Sequence, residues 1–283
     1  MTTRLTRTPP APSGGTAVTL PPPRRSASAW GGSLGLLFVA VWALHGAELS
    51  RLGDVDLRGV QVLAGVLRPD LSAPVLAGVA KAAAATVQIA IAGLLLSVLA
   101  AAPLALLMAG SSRVAPLART AARMLAALLR GIPELVYALV FVSIVGLGPV
   151  AGTCAVAVHG AGLLAKLWAE QLEAVDDRPV TAARLSGAGR GAVVALAVLP
   201  QARPGLLSLL LYQLECNIRT ATVLGIVGAG GLGQAIDLSL RLFDYGQLGT
   251  LVATVLALVL GVDALSRRLR ARWGADARPE AGI

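Results

Sequence analysis

The chain contains few charged, aromatic and sulfur-containing residues. Of its 283 residues, 14% are charged, 4% are aromatic and two are cysteines. A soluble globular domain averages about 25% charged residues and about 45–50% apolar ones, whereas 56% of this chain is hydrophobic. The composition points away from a water-soluble protein and excludes a disordered chain, a coiled coil and a disulfide-rich scaffold. Cys154 and Cys216 lie in apolar sequence without a C-x-x-C partner, so we expect neither a disulfide nor a metal site.

Long stretches without a formal charge are the most informative feature. No Asp, Glu, Lys or Arg occurs in residues 82–112 or in residues 135–165. A helix of about 20 apolar residues is long enough to cross the hydrocarbon core of a bilayer, and each stretch exceeds that length. The chain is therefore predicted to be an all-α integral membrane protein.

The apolar runs predict about six transmembrane helices, at residues 26–47, 82–110, 131–149, 150–169, 203–223 and 247–265. The glycines and proline of residues 146–149 divide one long run into two of these helices. Four regions are expected. Residues 1–25 are rich in proline and are expected to form a disordered cytoplasmic tail. Residues 26–74 are expected to form an anchor helix with a periplasmic segment. Residues 75–270 form the transmembrane domain, and residues 271–283 form a second cytoplasmic tail.

The distribution of arginine predicts the orientation. The formal net charge is +9, as in many nucleic-acid-binding proteins, but the arginines lie in short segments between apolar runs rather than on one amphipathic face. With both termini cytoplasmic, most of the 24 basic residues lie on the cytoplasmic side. Because basic residues accumulate in cytoplasmic loops, we predict a multi-pass protein of the bacterial cytoplasmic membrane with both termini inside and no nucleic-acid partner.

The polar segment 170–202 is the most informative loop. Pro179 suits the first turn of a short helix, and Gly187 suits its end. The pattern Thr181-Ala182-Ala183-x-x-x-Gly187 is followed after eleven residues by Leu199-Pro200. This pattern resembles the EAA loop of ABC-importer permeases, a coupling helix that docks on a cytoplasmic ATPase subunit. Thr181 stands where that family usually has glutamate, which makes the polar half of this contact different from the family pattern.

Further motifs are similar to those of the phosphonate-type subfamily of these permeases. They cover residues 75–270 in order and comprise Gly131-Ile132-Pro133-Glu134-Leu135-Val136, Gly146-Leu147-Gly148-Pro149, His159-Gly160-Ala161-Gly162, Lys166-Leu167-Trp168-Ala169-Glu170, residues 215–233 and Leu242-Phe243-Asp244-Tyr245. The resemblance implies a type I ABC importer permease (MetI-like) fold. It also implies a permease subunit for phosphonates or related phosphorus oxyanions.

The same resemblance implies the partners. They are two cytoplasmic ABC ATPase subunits, a periplasmic or lipid-anchored solute-binding protein, and a second permease subunit, expected to be a copy of this chain, with a heterodimer left open. The sequence contains no G-x-x-x-x-G-K-[ST], and neither of its two lysines follows a glycine, which excludes a Walker A loop. We therefore expect no enzyme activity and no cofactor in this chain itself, with ATP hydrolysed by a partner subunit.

The segment Gly228-Ala229-Gly230-Gly231-Leu232-Gly233 satisfies the G-x-G-x-x-G pattern of dinucleotide-binding sites. A dinucleotide fold also needs strand–helix units and an acidic residue about 20 positions further on. Asp244 comes too early, and another predicted span follows. The glycines are instead predicted to form a turn outside the bilayer core, where close backbone approach ends one helix and begins the next.

Charged and polar residues within predicted spans are candidates for the translocation pathway. Glu215 and Arg219 are four residues apart, on one helix face where they can pair, while Asn217 points elsewhere. Arg219, together with Lys166, is a candidate contact for a passing oxyanion, because a guanidinium fork suits phosphonate oxygens. A purely structural Glu215–Arg219 ion pair is the alternative.

Two other ionisable residues are expected to have no part in transport. His159 lies in an otherwise apolar helix and is interpreted as a hydrogen-bonded packing residue rather than a ligand. Glu134 lies near the end of a predicted span, where it can be solvated without a role.

Other classes of protein fit the sequence less well. An ion-coupled secondary transporter would use an intramembrane carboxylate such as Glu215, but the sequence shows no inverted repeat and the docking loop would have no use. An intramembrane enzyme needs clustered nucleophiles, bases or metal ligands, which two histidines without an H-E-x-x-H motif do not provide. A non-transporting membrane scaffold would leave the polar loop at residues 170–202 without a purpose. An ABC permease for another small solute is a further alternative.

Overall fold

The computed structural model describes residues 27–46, 62, 64–109 and 115–272. The predicted tail at residues 1–25, residues 47–61 of the predicted periplasmic segment and residues 273–283 of the second tail lie outside the described residues. All regular elements in the described ranges are helices. The chain divides into two compact units, residues 1–57 and residues 58–283.

The first unit contains one described helix, α1 (Ala27–Gly46), at the position of the first predicted span. It has 20 residues, and a helix of that length is about 30 Å long. That length matches the hydrocarbon thickness of a bilayer.

The second unit begins with the long helix α2 (Ala73–Met108) and continues with α3 (Pro116–Gly131), α4 (Glu134–Val145), α5 (Pro149–Glu173) and the short α6 (Asp177–Leu185). A helical segment of 40 residues, Arg190–Ala229, follows. It consists of α7 (Arg190–Val193), a π-helical turn (Val194–Val198), α8 (Leu199–Leu224) and a second π-helical turn (Gly225–Ala229). The unit ends with α9 (Gly231–Arg241) and α10 (Tyr245–Arg272).

In the described ranges, four helical segments are long and apolar enough to cross a membrane: α2, α5, Arg190–Ala229 and α10. The pair α3 and α4 adds a fifth if it is one span. With α1 in the place of the first predicted span, the arrangement agrees roughly with the six that were predicted. α5 and the segment Arg190–Ala229 extend beyond their predicted limits, so that the loop predicted at residues 170–202 is confined to residues 174–189.

The helix predicted at residues 131–149 is present as the shorter α4, and a sharp bend precedes it. α3 and α4 meet at an angle of 83°, and Ile132 between them has an extended backbone, with φ −94° and ψ 129°. The cause is Pro133, because a proline ring disfavours helical geometry in the residue before it. The predicted break at residues 146–149 is confirmed, since α4 ends at Val145 and α5 begins at Pro149.

Helix α5 lies at the centre of the second unit and makes its most extensive contact with α2. Glycines on α5 allow neighbouring backbones to approach closely, as small residues do in membrane helix packing. A Cβ atom added at Gly162 would lie 2.8 Å from the carbonyl oxygen of Ala126 on α3. The buried Ser97 hydroxyl on α2 donates a hydrogen bond to the Ala157 carbonyl on α5, at 3.1 Å. Backbone proximity and polar contacts therefore hold α5 in place.

Candidate functional site

The polar loop between α5 and the segment Arg190–Ala229 contains the short helix α6. Asp176 caps its start, because its side-chain Oδ1 accepts a hydrogen bond of 3.0 Å from the backbone N–H of Arg178. Pro179 lies in the first turn, as predicted, where its missing N–H would have no helical partner.

Gly187 ends α6 for a backbone reason. Its φ is +81°, its N–H donates to the carbonyl of Arg184, and the N–H of Ala188 donates to the carbonyl of Ala183, both at 3.1 Å. These two bonds define a Schellman motif, in which the left-handed residue is usually glycine. Nothing lies within 4 Å of the position that a Cβ atom would occupy at Gly187. Gly187 is thus needed for its conformation and not for space inside the chain.

The predicted coupling residues are divided between two faces of α6. Val180 is buried and Ala183 packs beside it against a core formed by α2, α3, α5 and α8. Thr181 and Ala182 are exposed. Leu185, which is not one of the predicted coupling residues, is 84% exposed. The exposed part of α6 therefore includes Thr181, Ala182 and Leu185, while Ala183 serves packing within the chain.

The predicted Glu215–Arg219 pair is wrong. Glu215 forms its ion pair with Arg270 on α10, and both side chains are largely buried. The guanidinium of Arg219 donates instead to the sulfur of Cys216, at 3.6 Å. Spacing of four residues places two side chains on one face, but the packing of α10 against α8 brings a cation to Glu215 from another helix.

Asn217 is a buried structural residue, 2% exposed. Its Nδ2 donates to the carbonyl of Ala90 on α2 at 3.2 Å, and its Oδ1 accepts a bond of 2.8 Å from Gln213. Both ends of the amide are thus engaged, and the residue joins α8 to α2.

Lys166 lies apart from Arg219, in a separate cavity of about 340 Å³ between α3 and α5. Its Nζ lies 3.5 Å from Glu170, and Arg123 lies 3.1 Å from Glu173 in the same cavity. The two cations that were expected to act together line different cavities.

A second cavity, of about 260 Å³, brings together residues that are distant in sequence. It is lined by Glu134 at the start of α4, His159 on α5, and Cys216, Asn217, Arg219 and Thr220 on α8. The two oxygens of Glu134 are both engaged: Oε1 accepts a 2.9 Å hydrogen bond from the Thr220 hydroxyl, and Oε2 lies 3.3 Å from Nε2 of His159. Glu134 therefore joins three helices, contrary to the expectation that it is solvated without a role.

His159 is hydrogen-bonded, as the sequence predicted. Its Nδ1 lies 3.2 Å from the carbonyl oxygen of Ile132, within the bend between α3 and α4. The sequence did not show that its other nitrogen faces Glu134. The sequence signal for this contact is the Gly131-Ile132-Pro133 break directly before Glu134. A broken helix leaves backbone groups that need hydrogen-bond partners.

The glycine-rich segment is a turn between α8 and α9. Gly228, Gly230 and Gly231 all have positive φ, at +91°, +89° and +72°, and a Cβ atom at Gly233 would overlap the carbonyl oxygen of Thr222 on α8. The N–H of Leu232 at the start of α9 donates to the Thr86 hydroxyl at 2.8 Å. Close backbone approach between two helices, as predicted, accounts for these glycines, and the Leu232 amide in the first turn of α9 is already hydrogen-bonded.

Comparison with known proteins identifies the family. The family model described as "Binding-protein-dependent transport system inner membrane component" matches residues 101–274, more than half of the chain. The chain belongs to this family. It is a multi-pass membrane protein and a transport permease, with the all-helical fold of type I importer permeases.

Relatives and solved structures agree with this assignment. The chain is 37% identical, over 84% of its length and 83% of the relative's, to HtxC of Stutzerimonas stutzeri, which carries the name of a phosphite transport system permease. It is 39% identical over 68% of its length to the phosphate-import permease protein PhnE of Mycolicibacterium smegmatis, but covers only 36% of that longer protein.

Among solved structures, an inward-facing form of the MetNI methionine ABC transporter superposes with a TM-score of 0.65. The match covers 72% of this chain and 99% of the other, at 20% identity. A likeness at that identity supports the fold of this permease.

Proposed function

We propose that this permease is the transmembrane subunit of an ATP-driven importer for phosphorus oxyanions. The observation that carries the proposal is the 37% identity to a protein named for phosphite transport, which extends over 84% of this chain. Other relatives are named for phosphate and for phosphonate transport. The cargo class is therefore proposed as phosphorus oxyanions, and one member of the class is not singled out.

In this proposal, α6 transmits movement from a separate ATPase. Its exposed residues include Thr181, Ala182 and Leu185, and an exposed apolar side chain on such a helix suits insertion into a groove of a partner. The loop is cytoplasmic, with both chain termini on the same side, in keeping with the excess of arginine in the segments assigned to that side. ATP is bound by the partner and not by this chain.

The remaining partners follow from the same proposal. A periplasmic or lipid-anchored binding protein delivers the oxyanion, and two permease subunits enclose the pathway, a second copy of this chain being the simplest arrangement. Arg219 lines the cavity with Glu134 and His159, and it also borders a smaller one with Glu215 and Asp263. We propose it as a transient contact for the anion, because a guanidinium presents paired donors to phosphonate oxygens.

The cargo class is tested by uptake into vesicles that contain the permease, its ATPase and its binding protein. Phosphite, phosphate and methylphosphonate are supplied separately, with sulfate and methionine as controls. We expect ATP-dependent uptake of at least one phosphorus compound and of neither control. Uptake of methionine or sulfate alone would contradict the proposed cargo.

The role of α6 is tested by Leu185→Ala. We expect uptake to fall about tenfold, together with cargo-stimulated ATP hydrolysis, because truncating one of the few residues that anchor an interface costs about 2 kcal/mol or more, and about 1.4 kcal/mol corresponds to a factor of ten. Leu242→Ala is the matched control, since Leu242 is also an exposed leucine but follows α9, far along the chain from the docking loop. Equal uptake by both variants, at equal amounts in the membrane, would refute docking through this face.

A further inference from the structure

The cavity around Glu134 contains an anion that belongs to the protein itself. We propose that the Glu134 carboxylate occupies the position of a passing phosphorus oxyanion, so that the cargo must displace it to contact His159, Thr220 and Arg219. This inference rests on the proposed function and identifies the residues at which the cargo makes contact. It assigns Glu134 the role of a competitor within the pathway.

The geometry supports this role because both carboxylate oxygens are held by side-chain donors. The Thr220 hydroxyl lies 2.9 Å from Oε1, and Nε2 of His159 lies 3.3 Å from Oε2. The two donors belong to different helices, α8 and α5, and converge on one carboxylate. Two convergent donors that hold two oxygens of a carboxylate can equally hold two oxygens of a phosphonate.

The imidazole of His159 lies between two oxygen acceptors. Nδ1 faces the carbonyl of Ile132 and Nε2 faces Glu134. An imidazole N–H at Nε2 can donate to a carboxylate oxygen at the position of Oε2. The same N–H can donate to an oxygen of an anion that replaces the carboxylate.

Arg219 places a positive charge on the wall of the same cavity. Within the described residues, its only side-chain hydrogen bond is the long one to the Cys216 sulfur, at 3.6 Å, which leaves most of its five donors available. The side chain of Glu134 is 35% exposed, so its carboxylate can leave the two donors without passing through the core.

A carboxylate that competes with the cargo prevents the cavity from binding the cargo too tightly. A cavity with a guanidinium, an imidazole and a hydroxyl would hold an oxyanion tightly, whereas conduction requires that the cargo also leave. When the cargo must exchange for hydrogen bonds that Glu134 already makes, its net affinity is lowered. The return of Glu134 to His159 and Thr220 then favours release.

Cys216 provides a native reporter of this cavity. The full chain carrying Cys154→Ser, assembled with its ATPase in lipid nanodiscs, is labelled with a methanethiosulfonate reagent at increasing concentrations of phosphite, phosphate or methylphosphonate. We expect Glu134→Gln to lower the concentration that half-protects Cys216 at least about tenfold, because the amide has a similar size but no charge to compete. Asp237→Asn, which neutralises a half-buried carboxylate paired with Arg241, is the matched control and leaves protection unchanged.

An unchanged half-protecting concentration in Glu134→Gln, alongside oxyanion uptake by the wild-type importer, would overturn the inference and leave the proposed function intact. Absence of oxyanion uptake by the wild type would instead refute the proposed function. Infrared difference spectra of the wild-type complex with and without phosphite supply a measurement that does not depend on the variant folding. Displacement predicts a change in the carboxylate stretch that is absent in the sulfate control, and identical spectra would count against displacement.

Discussion

Glycine serves two different purposes in the two segments that the sequence singles out, the end of α6 and the turn between α8 and α9. At Gly187 the backbone is left-handed and the surrounding space is empty. At Gly225 and Gly233 the backbones of two helices touch, and a Cβ atom at Gly225 would lie 2.7 Å from the Cα of Gly233. Gly187 is required because its backbone is left-handed, whereas Gly225 and Gly233 are required because a side chain would not fit between the two helices.

A glycine-rich motif must therefore be interpreted together with the elements that surround it. The G-x-G-x-x-G pattern at residues 228–233 is read in nucleotide-binding proteins as a cradle for phosphate. Here the same pattern places α9 against α8 and α2, and the Thr86 hydroxyl accepts a hydrogen bond from the Leu232 amide in the first turn of α9. A motif identifies where the backbone is unusual, and the neighbouring elements determine what the unusual backbone contacts.

Gly233→Ala is expected to have the largest effect on stability. The added Cβ atom meets the carbonyl oxygen of Thr222 and the backbone of Ile226, which cannot move independently of α8. We expect a loss of about 3 kcal/mol, the upper part of the range for overpacking a tight interior, measured as a lower Tm of the detergent-solubilised protein. An unchanged Tm would show that α8 and α9 can move apart with little loss of stability.

Gly187→Ala is expected to have an intermediate and local effect. An alanine with φ near +81° is strained by about 1–2 kcal/mol, although the space for its methyl group is free. Hydrogen exchange should therefore accelerate roughly tenfold in α6, where 1.4 kcal/mol corresponds to a factor of ten. Gly187→Asn should accelerate it less, because asparagine tolerates this conformation better; equal exchange in both variants would contradict the conformational argument.

Gly261→Ala should have the smallest effect and the opposite sign. Gly261 lies within α10, and nothing surrounds the position of its Cβ atom within 4 Å. Because alanine favours a helix over glycine by about 1 kcal/mol, the Tm should stay the same or rise slightly. A fall in Tm comparable to that of Gly233→Ala would reveal a close partner at this face, such as a second subunit.

The fold was predictable to the extent that it depends on apolar runs and chain breakers. The break at residues 146–149, the short helix that starts near Pro179 and ends before Gly187, and the turn at Gly228–Gly233 are all confirmed. The helix predicted at residues 131–149 is present as the shorter α4, and hydropathy does not show the 83° bend at Pro133 that separates α4 from α3.

The candidate site was less predictable because its contacts join distant helices. Glu215 pairs with Arg270 rather than with Arg219 four residues away, and Glu134 reaches Thr220, 86 positions further along the chain. The sequence shows which residues carry charge within apolar segments. Which cation approaches which carboxylate depends on how helices cross.

The sequence alone determined that this protein crosses a membrane and where its backbone must turn, because both depend on the local cost of placing charge in lipid and on the conformational limits of proline and glycine. Only the tertiary structure decided that Glu134, His159 and Thr220 meet, that Lys166 and Arg219 do not, and that Leu185 faces outward. The physical reason is that a polar side chain in an apolar bundle pairs with whichever partner the packing of neighbouring helices brings within hydrogen-bonding distance.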